Sequence, residues 1–244
     1  MDIIQTENLS KHYGDFKAVS EINLNVRKGE IYGFLGLNGA GKTTTIRMLL
    51  GLISPSSGLA FITGEKVTAN KNELWGKSGY LVEIPYSYPN LTVYENLEII
   101  RRLRFIPDRS SIDKIIDKLH LGAYRNRKAK NLSLGNAQRL GLAKALIHNP
   151  DILILDEPTN GLDPAGIYEI REMLEDLAFN HNVTLFISSH ILGEISKFAT
   201  RIGIIHEAEL MQEIDANQLD TLCEKQLLVN ARDIEAAHKI IQNY

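Results

Sequence analysis

The 244-residue chain has a single cysteine, Cys223, so no internal disulfide framework can form, and the usage fits a reducing compartment. No run approaches the roughly 18 apolar residues that span a bilayer, and no apolar signal region precedes Asp2. Any membrane role is therefore expected to be exerted through a partner. Excess charge of one sign is also lacking: 27 basic against 30 acidic residues give a net charge of −3, which argues against a nucleic-acid-binding surface. Neither an internal repeat nor a low-complexity tract is present. What the chain does have is core material, with 44% hydrophobic and 23% charged residues, the proportions of an ordinary globular domain.

The densest chemical signal is a glycine-rich stretch. Gly36, Leu37, Asn38, Gly39, Ala40, Gly41, Lys42, Thr43 and Thr44 fit the phosphate-binding pattern of Gly, four residues, then Gly-Lys-Thr. Residues 30–35 before it read as a short apolar strand, and residues 45–50 after it as a helix that Gly51 stops. Strand, glycine turn and helix are the context the pattern requires. Glycines let backbone approach phosphate, and free N–H groups at a helix N-terminus favour anions. Lys42 is expected to reach the β- and γ-phosphates of a nucleotide, and the Thr43 hydroxyl to ligate Mg²⁺.

Residues 3–9 and 22–26 alternate apolar with polar and read as half-buried strands, with a turn carrying Tyr13 and Phe16 between them. A turn at 55–58 precedes a short strand at 59–63, and these early strands are expected to be antiparallel. Residues 79–82 form a strand that stops at Glu83, before an aromatic, proline-rich loop. Thr92 caps a helix over 93–103, with Glu95 completing a capping box. Amphipathic helices follow at 111–121 and 136–148, separated by a basic stretch at 124–131 that reads as a solvated linker. Residues 151–155 are a continuous apolar run, the mark of a parallel strand buried on both faces. Helices at 164–179 and 191–198 then alternate with strands at 183–188 and 201–206, which predicts an α/β core around a parallel sheet.

Ligands collect at the C-terminal ends of parallel strands. Asp156 ends the buried run and can hold Mg²⁺ opposite the phosphate loop, while Glu157 beside it is a candidate general base for an attacking water. His190 follows the next strand and can donate to a γ-phosphate. Leu132-Ser133-Leu134-Gly135-Asn136 precedes a helix, offering a second anion-binding end.

Each of these stretches is common alone. In this order, behind a phosphate loop, the set resembles the nucleotide-binding subunit of ATP-binding cassette (ABC) transporters over about residues 2–215. The resemblance implies an α/β P-loop NTPase cassette. It has a RecA-like parallel-sheet core, an N-terminal antiparallel β subdomain and an inserted α-helical subdomain at about 84–150. It further implies ATP hydrolysis with Mg²⁺, Tyr13 stacked on adenine (although nearby Phe16 leaves either aromatic free to be core), and Asp163 signalling between subunits. Lys42, Glu157 and His190 would be catalytic, and Thr43, Asp156 and Glu83 would be metal ligands. Ser133, Gly135 and Asn136 would meet the γ-phosphate bound to a second ATPase subunit, so two subunits, identical or not, would stand head to tail around two ATP molecules. Separate membrane-spanning subunits would be the other partners, placing the protein on the cytoplasmic face of the cell membrane, with no nucleic acid expected.

Two departures from the family pattern carry weight. Glu83 stands where the family usually has glutamine, exchanging an amide that both donates and accepts for a carboxylate that only accepts. The signature loop is L-S-L-G-N in place of the usual L-S-G-G-Q, which adds the bulk of Leu134. The glutamate, with Y-P-N-L-T-V-Y-E-N-L and S-L-G-N-A-Q-R-L-G-L-A, resembles the branch that exports antimicrobial peptides, as in lantibiotic self-protection and bacitracin resistance. Alternatives are a superfamily ATPase acting on DNA or ribosomes, or a slow nucleotide-gated clamp. Residues 216–244 read as a short C-terminal extension or incomplete accessory domain, with a strand at 226–229 and a helix from Asp233.

Overall fold

The computed structural model describes residues 2–68, 76–83 and 86–219. The expected strand at 226–229 and helix from Asp233 lie outside the described residues. Two sheets organise the chain. The first is antiparallel, in the order β2-β1-β5-β6, with β3 also paired to β1. Its members are β1 (Asp2–Tyr13), β2 (Phe16–Ile22), β3 (Asn25–Arg27), β5 (Ser57–Ile62) and β6 (Glu65–Lys66). The antiparallel expectation holds, but the turn around Tyr13 and Phe16 does not. Both residues are in strands, facing each other across a hairpin closed by Gly14 and Asp15. Gly14 takes φ +59°, which suits a two-residue hairpin. The single strand at 22–26 is likewise two, broken at Asn23 and Leu24.

The second sheet runs β11-β10-β4-β9-β8-β7. It comprises β4 (Ile31–Leu35), β7 (Ser78–Leu81), β8 (Ile152–Asp156), β9 (Thr184–Ser189), β10 (Arg201–His206) and the edge strand β11 (Glu209–Asp215). All of its pairings are parallel except β10 with β11. Every residue of β8 and β9 is buried, as continuous apolar strands covered on both faces must be. A cluster of Tyr32, Phe34 and Phe186 rings, with centroids 5.3–5.4 Å apart, anchors the core shared by the β subdomain and this sheet.

The helices are α1 (Lys42–Leu49), α2 (Val93–Leu103), α3 (Ser110–Lys118), α4 (Leu134–Leu146), α5 (Pro164–Phe179) and α6 (Leu192–Ile195). Helix α6 is one turn long, shorter than the expected 191–198. Between β7 and β8 lie α2, α3 and α4, which pack Leu97, Ile112, Ile116 and Leu140 into a common apolar core. The basic stretch at 124–131 is more than a solvated linker. Arg125 stacks 4.3 Å from the Tyr94 ring and Arg127 5.0 Å from that of Tyr124, and Lys128 bridges to Thr92.

Candidate functional site

Register decides which side chains meet. Leu35 is paired with Ser189, and Asp156 with Ser188, so the C-terminal ends of β4, β9 and β8 lie side by side. Residues 36–44, His190 and Glu157 therefore leave the sheet at one edge. The turn at the end of β4 admits only glycine at its closest approaches. Gly41 has φ +110°, and a Cβ there would collide with Ala18 O; at Gly36 it would collide with Ile205. Gly41 ends as the N-cap of α1, leaving the first N–H groups of that helix facing the loop. Leu37, Asn38 and Gly39 are exposed, Thr44 is half-buried and Ala40 is buried.

Lys42 is buried and folds back over its own loop, its Nζ donating to Gly36 O at 2.6 Å and Leu37 O at 3.2 Å. The same ammonium is 3.3 Å from Glu157 Oε1, a charge contact without hydrogen-bond geometry, so that oxygen is buried with no hydrogen-bond donor. The other oxygen of Glu157 is 2.8 Å from His190 Nδ1. Lys42, Glu157 and His190 thus form one continuous array. Asp156 is 2% exposed, and among the described residues it has hydroxyl partners and no ion pair. Thr43 Oγ1 donates to Asp156 Oδ2 at 2.7 Å, and Ser188 Oγ to Asp156 Oδ1 at 2.5 Å. A buried carboxylate facing only hydroxyls is an incomplete electrostatic environment that a cation would complete.

Ser188 is the residue that sequence reasoning left unassigned. Its hydroxyl donates to Asp156 and accepts from Glu157 N–H at 3.0 Å, tying the two carboxylate residues together. Its position directly across from Asp156 in the parallel register is the signal, and it is readable only once the strand order is known.

The remaining candidates stand apart from this array. Tyr13 is half exposed at the tip of the β1–β2 hairpin, and Phe16 beside it is exposed as well, so neither is core. Glu83, with φ +56°, turns its carboxylate to Arg47 Nη2 at 2.5 Å. Arg47 lies one helical turn beyond Thr43 on α1. Ser133 is exposed and N-caps α4, accepting from Asn136 N–H at 3.3 Å, so the signature residues Ser133, Gly135 and Asn136 form a free helix N-terminus. Among the described residues, no hydrogen bond or ion pair links them to residues 36–44. Asp163 N-caps α5 through Gly166 N–H at 2.9 Å.

A groove of about 930 Å³ lies elsewhere, between α2, α4 and the end of β7. Arg47 and Glu83 line it, with Tyr80, Tyr86, Phe105 and Lys144, and no residue of 36–44 reaches it. Lys144 donates to Tyr86 O at 2.6 Å and Ser87 Oγ at 2.7 Å, and burial pulls its pKa down to about 8.

Residues 19–160 match the sequence profile of the ABC transporter family. The chain is 47% identical to the bacitracin transport ATP-binding protein BcrA of Bacillus licheniformis, covering 99% of this chain and 79% of that protein. It is 38% identical to the lantibiotic transport ATP-binding protein SrtF of Streptococcus pyogenes, covering 94% of this chain and all of SrtF. Among solved structures it is similar to dimeric MJ0796, a bacterial ABC transporter cassette, with a TM-score of 0.82 and 26% identity over 88% of this chain and 99% of that one.

Proposed function

The chain belongs to the ABC transporter family as one of its ATP-hydrolysing cassettes, and from that premise we propose that it powers the export or expulsion of an antimicrobial peptide of the bacitracin or lantibiotic type. The observation that carries the catalytic part is the Lys42–Glu157–His190 array beside the Thr43–Asp156 pair, all at the ends of β4, β8 and β9. The support for the peptide substrate is the similarity to BcrA and SrtF along nearly the whole chain.

In this reading the N–H groups of residues 36–44 wrap the triphosphate, and Lys42 exchanges its loop carbonyls for phosphate oxygens. Tyr13 reaches the adenine from its exposed hairpin. Glu157 takes the proton of the attacking water through the Oε1 that Lys42 leaves as it turns to the phosphates. His190 orients the other carboxylate oxygen. Thr43 and Asp156 are hard oxygen donors that fit Mg²⁺, a cation that keeps several waters and binds through one or two protein ligands plus phosphate. When bound, Mg²⁺ neutralises phosphate charge. Glu83 pairs with Arg47 at the groove, which supports a role there in place of the metal.

Ser133, Gly135 and Asn136 form an anion-binding end that their own phosphate loop does not use, which supports a head-to-tail dimer in which they complete the partner's site. Asp163, at the N-terminus of α5, stands beside that end. Membrane-spanning subunits on separate chains occupy the groove, with the cassette at the cytoplasmic face of the membrane. Among the described residues, no helix is long and apolar enough to cross a bilayer. Residues 2–215 form the cassette, its helical subdomain at about 84–150, and residues 216–244 an extension.

Glu157→Gln tests the core of this reading. Removing a general base should lower turnover about 10²- to 10⁴-fold while ATP still binds, and an ATP-bound dimer should accumulate on gel filtration. Turnover equal to wild type would remove Glu157 from the role.

A further inference from the structure

The loop that carries Glu157 is held from behind by the helix that carries the signature residues. Gln138, on the second turn of α4, is only 3% exposed. Its Nε2 donates to Glu157 O at 3.3 Å and to Pro158 O at 3.0 Å. Glu157 itself sits at φ +50°, a left-handed conformation that costs a non-glycine residue free energy and persists only where its surroundings enforce it. Enforcement comes from both sides of the residue, with Ser188 accepting from its N–H and Gln138 donating to its C=O.

A second contact runs parallel to the first. Leu134, the bulky departure in the signature loop, lies over Gly161, where any Cβ would collide with Leu134 Cδ2. Leu134 remains 60% exposed, so it covers the end of the Glu157 loop while facing outward beside Ser133. Helix α4 thus touches the base-bearing loop at its start, through Gln138, and near its end, through Leu134. Ser133 and Gln138 are about 7 Å apart along the helix axis, within one rigid segment.

We propose that Gln138 is a positioning residue for Glu157, seconded by Leu134, and that through it the placement of the base follows the position of the signature helix. The inference rests on the head-to-tail reading given above. One end of α4 meets nucleotide held by the second subunit, while its second turn fixes the general base of its own subunit. A displacement of α4 on contact with the partner's phosphate rotates the Glu157–Pro158 peptide and with it the carboxylate. The two sites are thereby linked without any change at Lys42 or Thr43.

The test uses the 244-residue chain with Gln138→Met, which keeps the length and removes the donor, and Gln138→Glu, which sets an acceptor against the two carbonyls. Misplacing a base by a fraction of an ångström should lower kcat about 10- to 100-fold, while KM for ATP stays within about twofold. The Met variant should also accumulate the ATP-bound dimer, as Glu157→Gln does, because it binds ATP but turns it over slowly. Leu134→Ala, at an exposed position that spares folding, should lower kcat less and in the same direction. Wild-type kcat in the Met and Leu134→Ala variants, or a KM that rises as kcat falls, would overturn the role of Gln138. If Glu157→Gln itself formed no ATP-dependent dimer, the head-to-tail reading would fall and the link with it, and this outcome is distinguishable because it appears without touching Gln138.

Discussion

His148 illustrates what burial does to one side chain. Its Nε2 lies 3.1 Å from Ser78 O, while its Nδ1 is buried without a partner. Burial and then the nearby Arg104 charge lower its pKa from 6.5 to about 4. The unfolded chain therefore binds the proton more readily than the folded one. Its contribution to stability is complete above pH 6.5 and is lost as pH falls from there to about 4. Urea denaturation at pH 7.5, 5.5 and 4.5 should show stability dropping across that window, and His148→Gln should flatten the drop. A mutant curve parallel to wild type would assign the acid sensitivity to other groups. The same scale separates what can be read from sequence. That Lys42, Thr43, Asp156, Glu157 and His190 come together is legible because each follows a glycine turn or a strand end in the sequence. Ser188, Gln138 and Arg47 are not, because each acts on a residue at least 19 positions away through a geometry that only the fold supplies.

At the scale of elements, α2 shows local signals cooperating with a tertiary one. The capping box forms as its sequence implies, Thr92 accepting from Glu95 N–H and Glu95 from Thr92 N–H. Asn96, buried one turn in, does more. Its Nδ2 donates to the carbonyls of Tyr88, Leu91 and Thr92, and its Oδ1 accepts from Tyr88 N–H at 2.8 Å. It staples the proline-rich loop to the start of the helix. Thr92→Ala should cost about 1 kcal/mol and lower Tm by about 2–4 °C. Asn96→Leu leaves buried carbonyls and an N–H unpaired and should cost more, about 2–3 kcal/mol; equal Tm values for the two variants would refute the staple. Periodicity exposed α2 and the apolar run of β8 because each buries a regular face. It missed β11, whose residues are mostly exposed and alternate poorly, and it overextended α6, where apolar residues continue past the helix into turns. The β1–β2 hairpin shows in sequence only through its turn, where Gly14-Asp15 between β-forming residues is a two-residue signal.

On the scale of the whole molecule, two surfaces stand open among the described residues: the signature end of α4 and the groove. Neither is legible as a surface in the sequence, since the groove gathers residues from position 47 to position 145. Its rim carries exposed apolar groups, Phe105 at 90% and Tyr86 at 77% exposure, around the Arg47–Glu83 pair. Clustered aromatic exposure around a charged pair is the composition of a protein-binding surface. The ion pair is open to water and contributes little to folding, about 0–1 kcal/mol. On the function proposed above, a partner seated in the groove excludes the screening water around the pair, and Glu83 couples that occupancy to α1 through Arg47. Two substitutions separate these roles. Phe105→Ser should leave Tm and ATP turnover of the isolated subunit near wild type, because the ring is almost fully exposed, yet abolish co-purification with the membrane-spanning subunits. Glu83→Ala should retain co-purification and nucleotide affinity but lose peptide resistance, since the partner still docks while its contact with α1 through Arg47 is gone. Loss of nucleotide affinity in Glu83→Ala would instead return that carboxylate to the metal, and full resistance would leave it a surface charge.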